Sequence, residues 1–197
     1  MGDLVVTEFV SMDGVMQAPG GEDFKYEGWT FDYERGDDGN QFKGEEVFES
    51  EASILGRVTY DSFAGAWPER EKSDDEMMSK FAKTLGDQPK YVVSSTLKDP
   101  EWRNTTVIDG NGDIPAEVAK IKEKHDGQIV VAGSRMLVQT LFENDLVDVI
   151  RLMVFPTVLG TGNKMFGEYA NRLEWELESA KPVGPDGVLT LVYNRKR

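Results

Sequence analysis

The stretch "QIVVAGSRMLVQTL", Gln128 to Leu141, decides the fold. A short β-branched run ends at a Gly-Ser pair, and an apolar helical pattern begins at once, pairing Leu137 with Leu141 and Val138 with Phe142 at four-residue spacing. A strand that passes through a bare turn straight into a helix is half of a parallel crossover unit. Two other places share the design. "SILGRVTYDSF" (Ser53 to Phe63) ends a strand at Gly56 and opens a helix with Arg57 and Thr59, and "YVVSSTL" (Tyr91 to Leu97) ends a strand in the hydroxyls of Ser94, Ser95 and Thr96. At such turns open amides and the helix dipole favour an anion, to which an arginine adds a charge-assisted contact.

Working outward, alternation and β-branching predict strands at Leu4–Val10, Ser53–Leu55, Tyr91–Ser94, Thr105–Ile108, Ile129–Ala132, Val147–Phe155, Leu173–Ser179 and Leu189–Tyr193. Helical patterns fall at Gln41–Glu49, Val58–Phe63, Asp75–Leu85, Pro115–Lys124 and Arg135–Asn144. In the fourth, Ile114, Val118 and Ile121 share one face, Asp113 is placed to cap it, and Pro115 suits a first turn. Strand and helix alternate as far as Asp145, and the remainder reads as strands joined by loops. The expected fold class is therefore α/β: a mixed, mostly parallel central sheet with flanking helices and an antiparallel C-terminal edge. Ligands belong beyond the carboxyl ends of the parallel strands. No repeat or linker breaks the chain, so residues 1–197 are expected to form one domain.

Composition removes several function classes. With 36 acidic against 22 basic residues the net charge is −14, which repels nucleic acid and anionic lipid. No apolar run approaches the length of a membrane span, and the first residues lack the pattern of a secretory signal, so neither nucleic acid nor membrane is an expected partner and the cytoplasm is the expected location. The chain has no cysteine and one histidine. Thiolate chemistry and cysteine zinc sites are excluded, and His125, in "EKHDGQ" at the expected end of a helix, reads as a structural group. "DGNGD" (Asp109 to Asp113) begins like a calcium loop but places Ile114 and Lys120 where a glycine and a bidentate glutamate are needed, so no metal is expected. The acid excess gathers in Glu22 to Glu51, eleven acids against Lys25, Arg35 and Lys43.

The order "GRVTY", "VVSST", "VVAGSRMLVQTL" and "LVDVIRLMVFPTVLGTGNKMF", after "VSMDGVMQAPGG" near the start, resembles the dihydrofolate-reductase-like superfamily. Within it, the chain is most similar to stand-alone relatives of the C-terminal reductase domain of the bifunctional riboflavin-biosynthesis deaminase-reductase. That resemblance implies a three-layer dihydrofolate-reductase-like fold and an NADPH-dependent oxidoreductase acting on a small heterocyclic (pyrimidine- or pterin-like) or carbonyl substrate. The other reading is a non-catalytic nucleotide-binding protein that keeps the cradle. By matching position, Gly56, Arg57 and Thr59 would meet the pyrophosphate and adenosine side of NADPH. Ser94, Ser95 and Thr96 would lie near the 2′-phosphate, and Gly133, Ser134 and Arg135 would hold the pyrophosphate. Gly160 and Gly162 either border the nicotinamide or only turn the chain.

Asp13 is the candidate catalytic carboxylate, orienting an amino-substituted ring or relaying a proton; the alternative is a simple Asp13-Gly14 turn. The acid that pairs with the pterin in a metabolic dihydrofolate reductase has no unique counterpart among Asp37, Asp38, Glu45 and Glu46. Glu8 stands in the first strand where the riboflavin enzymes tend to have lysine, which implies a less anionic substrate. A homodimer is implied as well, through the apolar run Leu152–Val158.

Overall fold

The computed structural model describes residues 1–21, 23–169 and 171–197, so Glu22, the first acid of the acidic segment, lies outside the described residues. All eight expected strands form: β1 (Asp3–Ser11), β2 (Ser50–Gly56), β3 (Lys90–Ser94), β4 (Thr105–Asp109), β5 (Gln128–Ala132), β6 (Val149–Phe155), β7 (Trp175–Val183) and β8 (Val188–Arg195). The five helices are α1 (Gly36–Phe48), α2 (Arg57–Arg70), α3 (Glu76–Asp87), α4 (Ile114–Lys124) and α5 (Arg135–Glu143). The strands make one sheet in the order β4-β3-β2-β5-β1-β6-β8-β7. The first six are mutually parallel, and β8 pairs antiparallel with both β6 and β7.

The side-chain period of two sorts β1 between the sheet's faces. Leu4, Val6 and Val10 join Ile54 and Val131 beneath α4 and α5, which contribute Val118, Ile121, Leu137, Val138, Leu141 and Phe142. Each such buried side chain contributes about 1.5–3 kcal/mol relative to exposure. On the other face Leu55 and Val92 meet Tyr60, Leu85 and Trp102, with Val47, Phe63, Trp67 and Phe81 of α1 to α3 around them. The result is three layers. Asp113 caps α4 by accepting from the Ala116 amide (3.0 Å), as its position predicts.

Helix boundaries depart from the apolar pattern where few apolar residues mark them. α1 starts at Gly36 rather than Gln41, and α2 continues past Phe63 to Arg70. Strand β7 begins at Trp175 rather than Leu173 and runs on to Val183. The long segment before α1 contains an unexpected 3-10 turn, Trp29–Asp32. It is pinned by the Trp29 ring, edge-on to Phe155 at 5.3 Å, and by its Nε1, which donates to the Gln17 carbonyl (2.8 Å).

One expectation changes. Leu152, Met153 and Phe155 are buried, because β6 runs between β1 and β8 and the antiparallel strands add outside it. The strand part of the apolar run is therefore core rather than an outer surface, and exposure begins beyond it at Pro156 and Val158. His125 is also interior: its ring nitrogens face Tyr91 Oη (3.1 Å) and Glu51 (3.3 Å), in keeping with a structural role.

Candidate functional site

The strand order makes a crevice. From β2 the chain moves outward to β3 and β4, whereas from β5 it crosses to β6 on the far side of β1. Strands β2 and β5 are neighbours whose following turns diverge, and an open α/β sheet offers its binding crevice beyond the carboxyl ends at such a point. The two turns there are Gly56–Thr59 and Gly133–Arg135.

They interlock. Ser134 Oγ accepts from the Gly56 amide (2.7 Å) and donates to Thr59 Oγ1 (2.9 Å). A Cβ at Gly133 would stand 2.8 Å from Thr59 Oγ1, closer than side chains approach, and one at Gly56 would crowd Ser134 Oγ at 3.0 Å, so the interlocked turns favour a bare backbone. Gly133 and Ser134 both have left-handed backbones, at φ 60 and φ 65. For serine that conformation costs about 1 kcal/mol or more, and strain of this kind gathers at functional sites. Helices α2 and α5 start here with their first amides open to the crevice and with Arg57 and Arg135 at their first positions. Gly56, Arg57, Thr59, Gly133, Ser134 and Arg135 are thus brought together.

The hydroxyl turn after β3 joins them through Arg57. Its Nη1 lies 3.4 Å from Thr96 Oγ1, while its Nε donates to both Asp61 oxygens (2.8 and 2.7 Å). Ser94 is buried, and its Oγ accepts from the amides of Thr96 (3.2 Å) and Leu97 (3.0 Å). Of the three hydroxyls, Ser94 shapes the turn, and Ser95 and Thr96 are exposed at its surface.

Asp13 lies beyond the carboxyl end of β1, one strand from Gly133. Its carboxylate accepts from Ser11 Oγ (2.7 Å) and from the amides of Leu159 (3.1 Å) and Gly160 (2.9 Å). The Ser11 hydroxyl, helped by these two amides, outweighs the loss of water and holds the carboxyl below its ordinary pKa. Asp13 is therefore an ionised acceptor that ties the 159–162 loop to the end of β1. The Gly160 amide is engaged by Asp13, whereas Gly162 packs against the segment after β1, where a Cβ would meet Val15 Cγ1 at 2.7 Å and Phe24 Cζ at 2.9 Å.

A buried group of charges, which the sequence did not single out as a cluster, lies on the α1 side of β1 and β6. Lys43 Nζ donates to Thr7 Oγ1 (2.7 Å) and to Glu46 Oε2 (2.5 Å). Arg151 Nε donates to Glu46 Oε1 (3.2 Å), and its Nη2 to the Phe42 carbonyl (3.2 Å). Thr7 and Arg151 are register partners, and Phe9, two residues on, lies under the Lys43 ammonium at 4.8 Å. Of Asp37, Asp38, Glu45 and Glu46, only Glu46 is buried, at 3% exposure, and each of its oxygens has a cation. Alternation puts Glu8 on the opposite face from Thr7, so the cation at this part of the first strand comes from α1. The available signals were the shared face of Val5, Thr7 and Phe9 and the i,i+3 spacing of Lys43 and Glu46.

Known proteins share this arrangement of elements. The chain is 28% identical over 141 residues to the Bacillus subtilis protein YyaP, covering 72% of each chain. Among solved structures, a protein of Shewanella sp. PV-4 named for riboflavin biosynthesis superposes with a TM-score of 0.74 at 19% identity, covering 99% of both chains. The dihydrofolate reductase of Enterococcus faecalis complexed with NADP(H) superposes with a TM-score of 0.61 at 16% identity, covering 99% of this chain and 97% of that one. The family model described as the RibD C-terminal domain matches residues 3–189. With the strand order, the interlocked turns and this match in agreement, the chain belongs to the RibD C-terminal domain family.

Proposed function

We propose that the protein is an NADPH-dependent reductase of a small heterocyclic substrate, pyrimidine- or pterin-like, or of a carbonyl compound, related to the pyrimidine reductase step of riboflavin biosynthesis. The observation that carries this reading is the interlocking of Gly56 and Thr59 with Gly133 and Ser134 at the mouth of two helices. Bare backbone, open amides and two arginines at one crevice suit a pyrophosphate. Gly56, Arg57, Thr59, Gly133, Ser134 and Arg135 would hold that group. Ser95 and Thr96, on the turn that Ser94 shapes, would take the 2′-phosphate with Arg57. NADPH supplies the hydride. The binding of NADP(H) by the dihydrofolate reductase of the same fold supports the choice of cofactor.

Asp13 serves this chemistry as an acceptor that orients a substrate N–H and fixes the 159–162 loop. Its lowered pKa suits that role better than the supply of a proton. Each Glu46 oxygen already holds a cation, which weakens its pull on the paired N–H groups of a pterin, while Lys43 and Arg151 have further N–H donors. Within the proposed class the cluster favours a ring that presents carbonyl or anionic acceptors.

We place the self-association surface on β8 and β7 rather than at Leu152–Val158. On the α5 side, Leu177 and Leu189 are exposed and continue the half-buried row of Val154 and Leu191. A monomer mass by sedimentation equilibrium would reject a homodimer. For the cofactor, thermal shifts with NADPH, NADH, NADP⁺ and ATP are decisive. A ligand at about 100 times its Kd stabilises by roughly 2.7 kcal/mol, and the reading expects the reduced phosphorylated cofactor to be selected. No shift with any dinucleotide rejects it.

A further inference from the structure

We propose that Asp61 sets the cofactor preference by positioning Arg57: it holds the Nε edge of the guanidinium so that the Nη edge faces the Ser95–Thr96 turn, where a 2′-phosphate would sit. The proposal rests on the cofactor reading above and adds to it a residue that touches neither cofactor nor substrate.

Arg57 and Asp61 are one turn apart on the first two turns of α2, with side chains 39% and 52% exposed. An exposed i,i+4 pair contributes only about 0.3–0.5 kcal/mol to stability, which is little reason for this geometry. Its directional effect is larger. Both Asp61 oxygens lie within 2.8 Å of Nε, which fixes one side of the planar fork and leaves Nη1 directed at Thr96 Oγ1. An arginine without that hold samples many rotamers over the surface of α2, and each fixed side chain removes part of the ordering cost of binding. The turn it faces is itself rigid, since Ser94 Oγ binds two of the turn's amides. A 2′-phosphate would therefore meet an arginine, two hydroxyls and a preset geometry. A free 2′-hydroxyl would gain little from the same groups, because it has no charge for the fork to bind.

Asp61 also carries a negative charge close to the proposed phosphate, and two variants separate this effect from orientation. Asp61→Ala removes both the hold and the charge. Asp61→Asn keeps an oxygen that accepts from Nε and removes only the charge. Kd for NADPH and NADH would be measured by fluorescence titration for the wild-type protein and both variants. Asp61→Ala is expected to weaken NADPH by about three- to tenfold and leave NADH within about twofold, while Asp61→Asn binds NADPH as well as the wild-type protein or better. If Asp61→Ala leaves the NADPH to NADH ratio unchanged, weakens both equally or raises the ratio, Asp61 does not position Arg57 for the phosphate. If Asp61→Asn falls as far as Asp61→Ala, an oxygen that accepts from Nε does not hold Arg57 for the phosphate, and the proposal is again overturned. If the wild-type protein binds neither dinucleotide, the cofactor reading fails and takes this one with it.

Discussion

At the amino ends of the strands, Lys90 Nζ donates to the carbonyls of Leu85 (2.8 Å), Gly86 (2.9 Å) and Gln88 (2.7 Å), closing the end of α3, and burial pushes its pKa down to about 8. Lys122 pairs with Asp148, which also accepts from the Leu4 amide and from Arg197, and His125 is enclosed between Tyr91 and Glu51. At the carboxyl ends, Arg57 is pinned on one side only, Arg135 has no carboxylate partner among the described residues, and Ser95 and Thr96 are exposed. One edge of the sheet saturates its charged groups with internal partners, and the other leaves donors facing solvent around a bare turn. A charged residue is informative about binding only after its internal partners have been counted.

Breaking a pair at the saturated edge is expected to have the largest effect on stability. Lys122→Met leaves the half-buried Asp148 without its ammonium and should lower unfolding free energy by about 3 kcal/mol in urea titrations, with dinucleotide affinity unchanged. If affinity also falls, the edges are not independent. Gly133→Asp comes next. It adds a Cβ 2.8 Å from Thr59 Oγ1 in a left-handed backbone, which should cost about 1–3 kcal/mol of stability and weaken cofactor binding beyond about 100-fold. Preserved affinity would show that the interlocked turns are only scaffold.

Acid provides a finer test. Burial raises the Asp148 pKa, but Lys122, the Leu4 amide and Arg197 together bring it below its ordinary value. The unfolded chain then takes up this proton first, so the stabilisation is complete above the ordinary carboxylate pKa and is lost as pH falls through the folded value. Asp148→Asn should flatten the acid limb of a stability profile, and an unchanged limb would place the sensitive carboxyl elsewhere. The smallest stability effect belongs to Arg57→Ala at the open edge. Its exposed pair contributes less than about 1 kcal/mol, so Tm should move little while NADPH affinity falls about tenfold.

The fold was legible because its strands alternate and its glycine turns sit where strand becomes helix; "VVAGSRM" and "LGRVTY" mark the crevice before any contact is known. The limits of α1 were not, because Gly36 to Asn40 offers no apolar period. The Lys43, Glu46 and Arg151 cluster was hidden for a different reason. In "VIRLMVF" the arginine shares a face with the apolar Val149, Met153 and Phe155, and only the packing of α1 over β1 and β6 supplies the carboxylate that holds it there. The apolar character of β6 was visible, but its neighbours were not. Which strands flank a segment depends on pairings far apart in the chain, and local pattern carries no record of them. Asp13 was singled out by its motif; its carboxyl is lowered first by the nearby Ser11 hydroxyl, and the further help of the Gly160 and Leu159 amides, far along the sequence, was not visible there.

The place of β1 in the sheet has a consequence for how the chain is made. Both of its neighbours, β5 and β6, are synthesised long after it, since Asp3 pairs with Gln128 and Val5 with Val149. On the ribosome "LVVTEFV" therefore emerges with both hydrogen-bonding edges open and waits for most of the polypeptide before either can close. Translation pauses or scarce chaperones during that interval would endanger this protein more than one whose first strand closes on an adjacent hairpin.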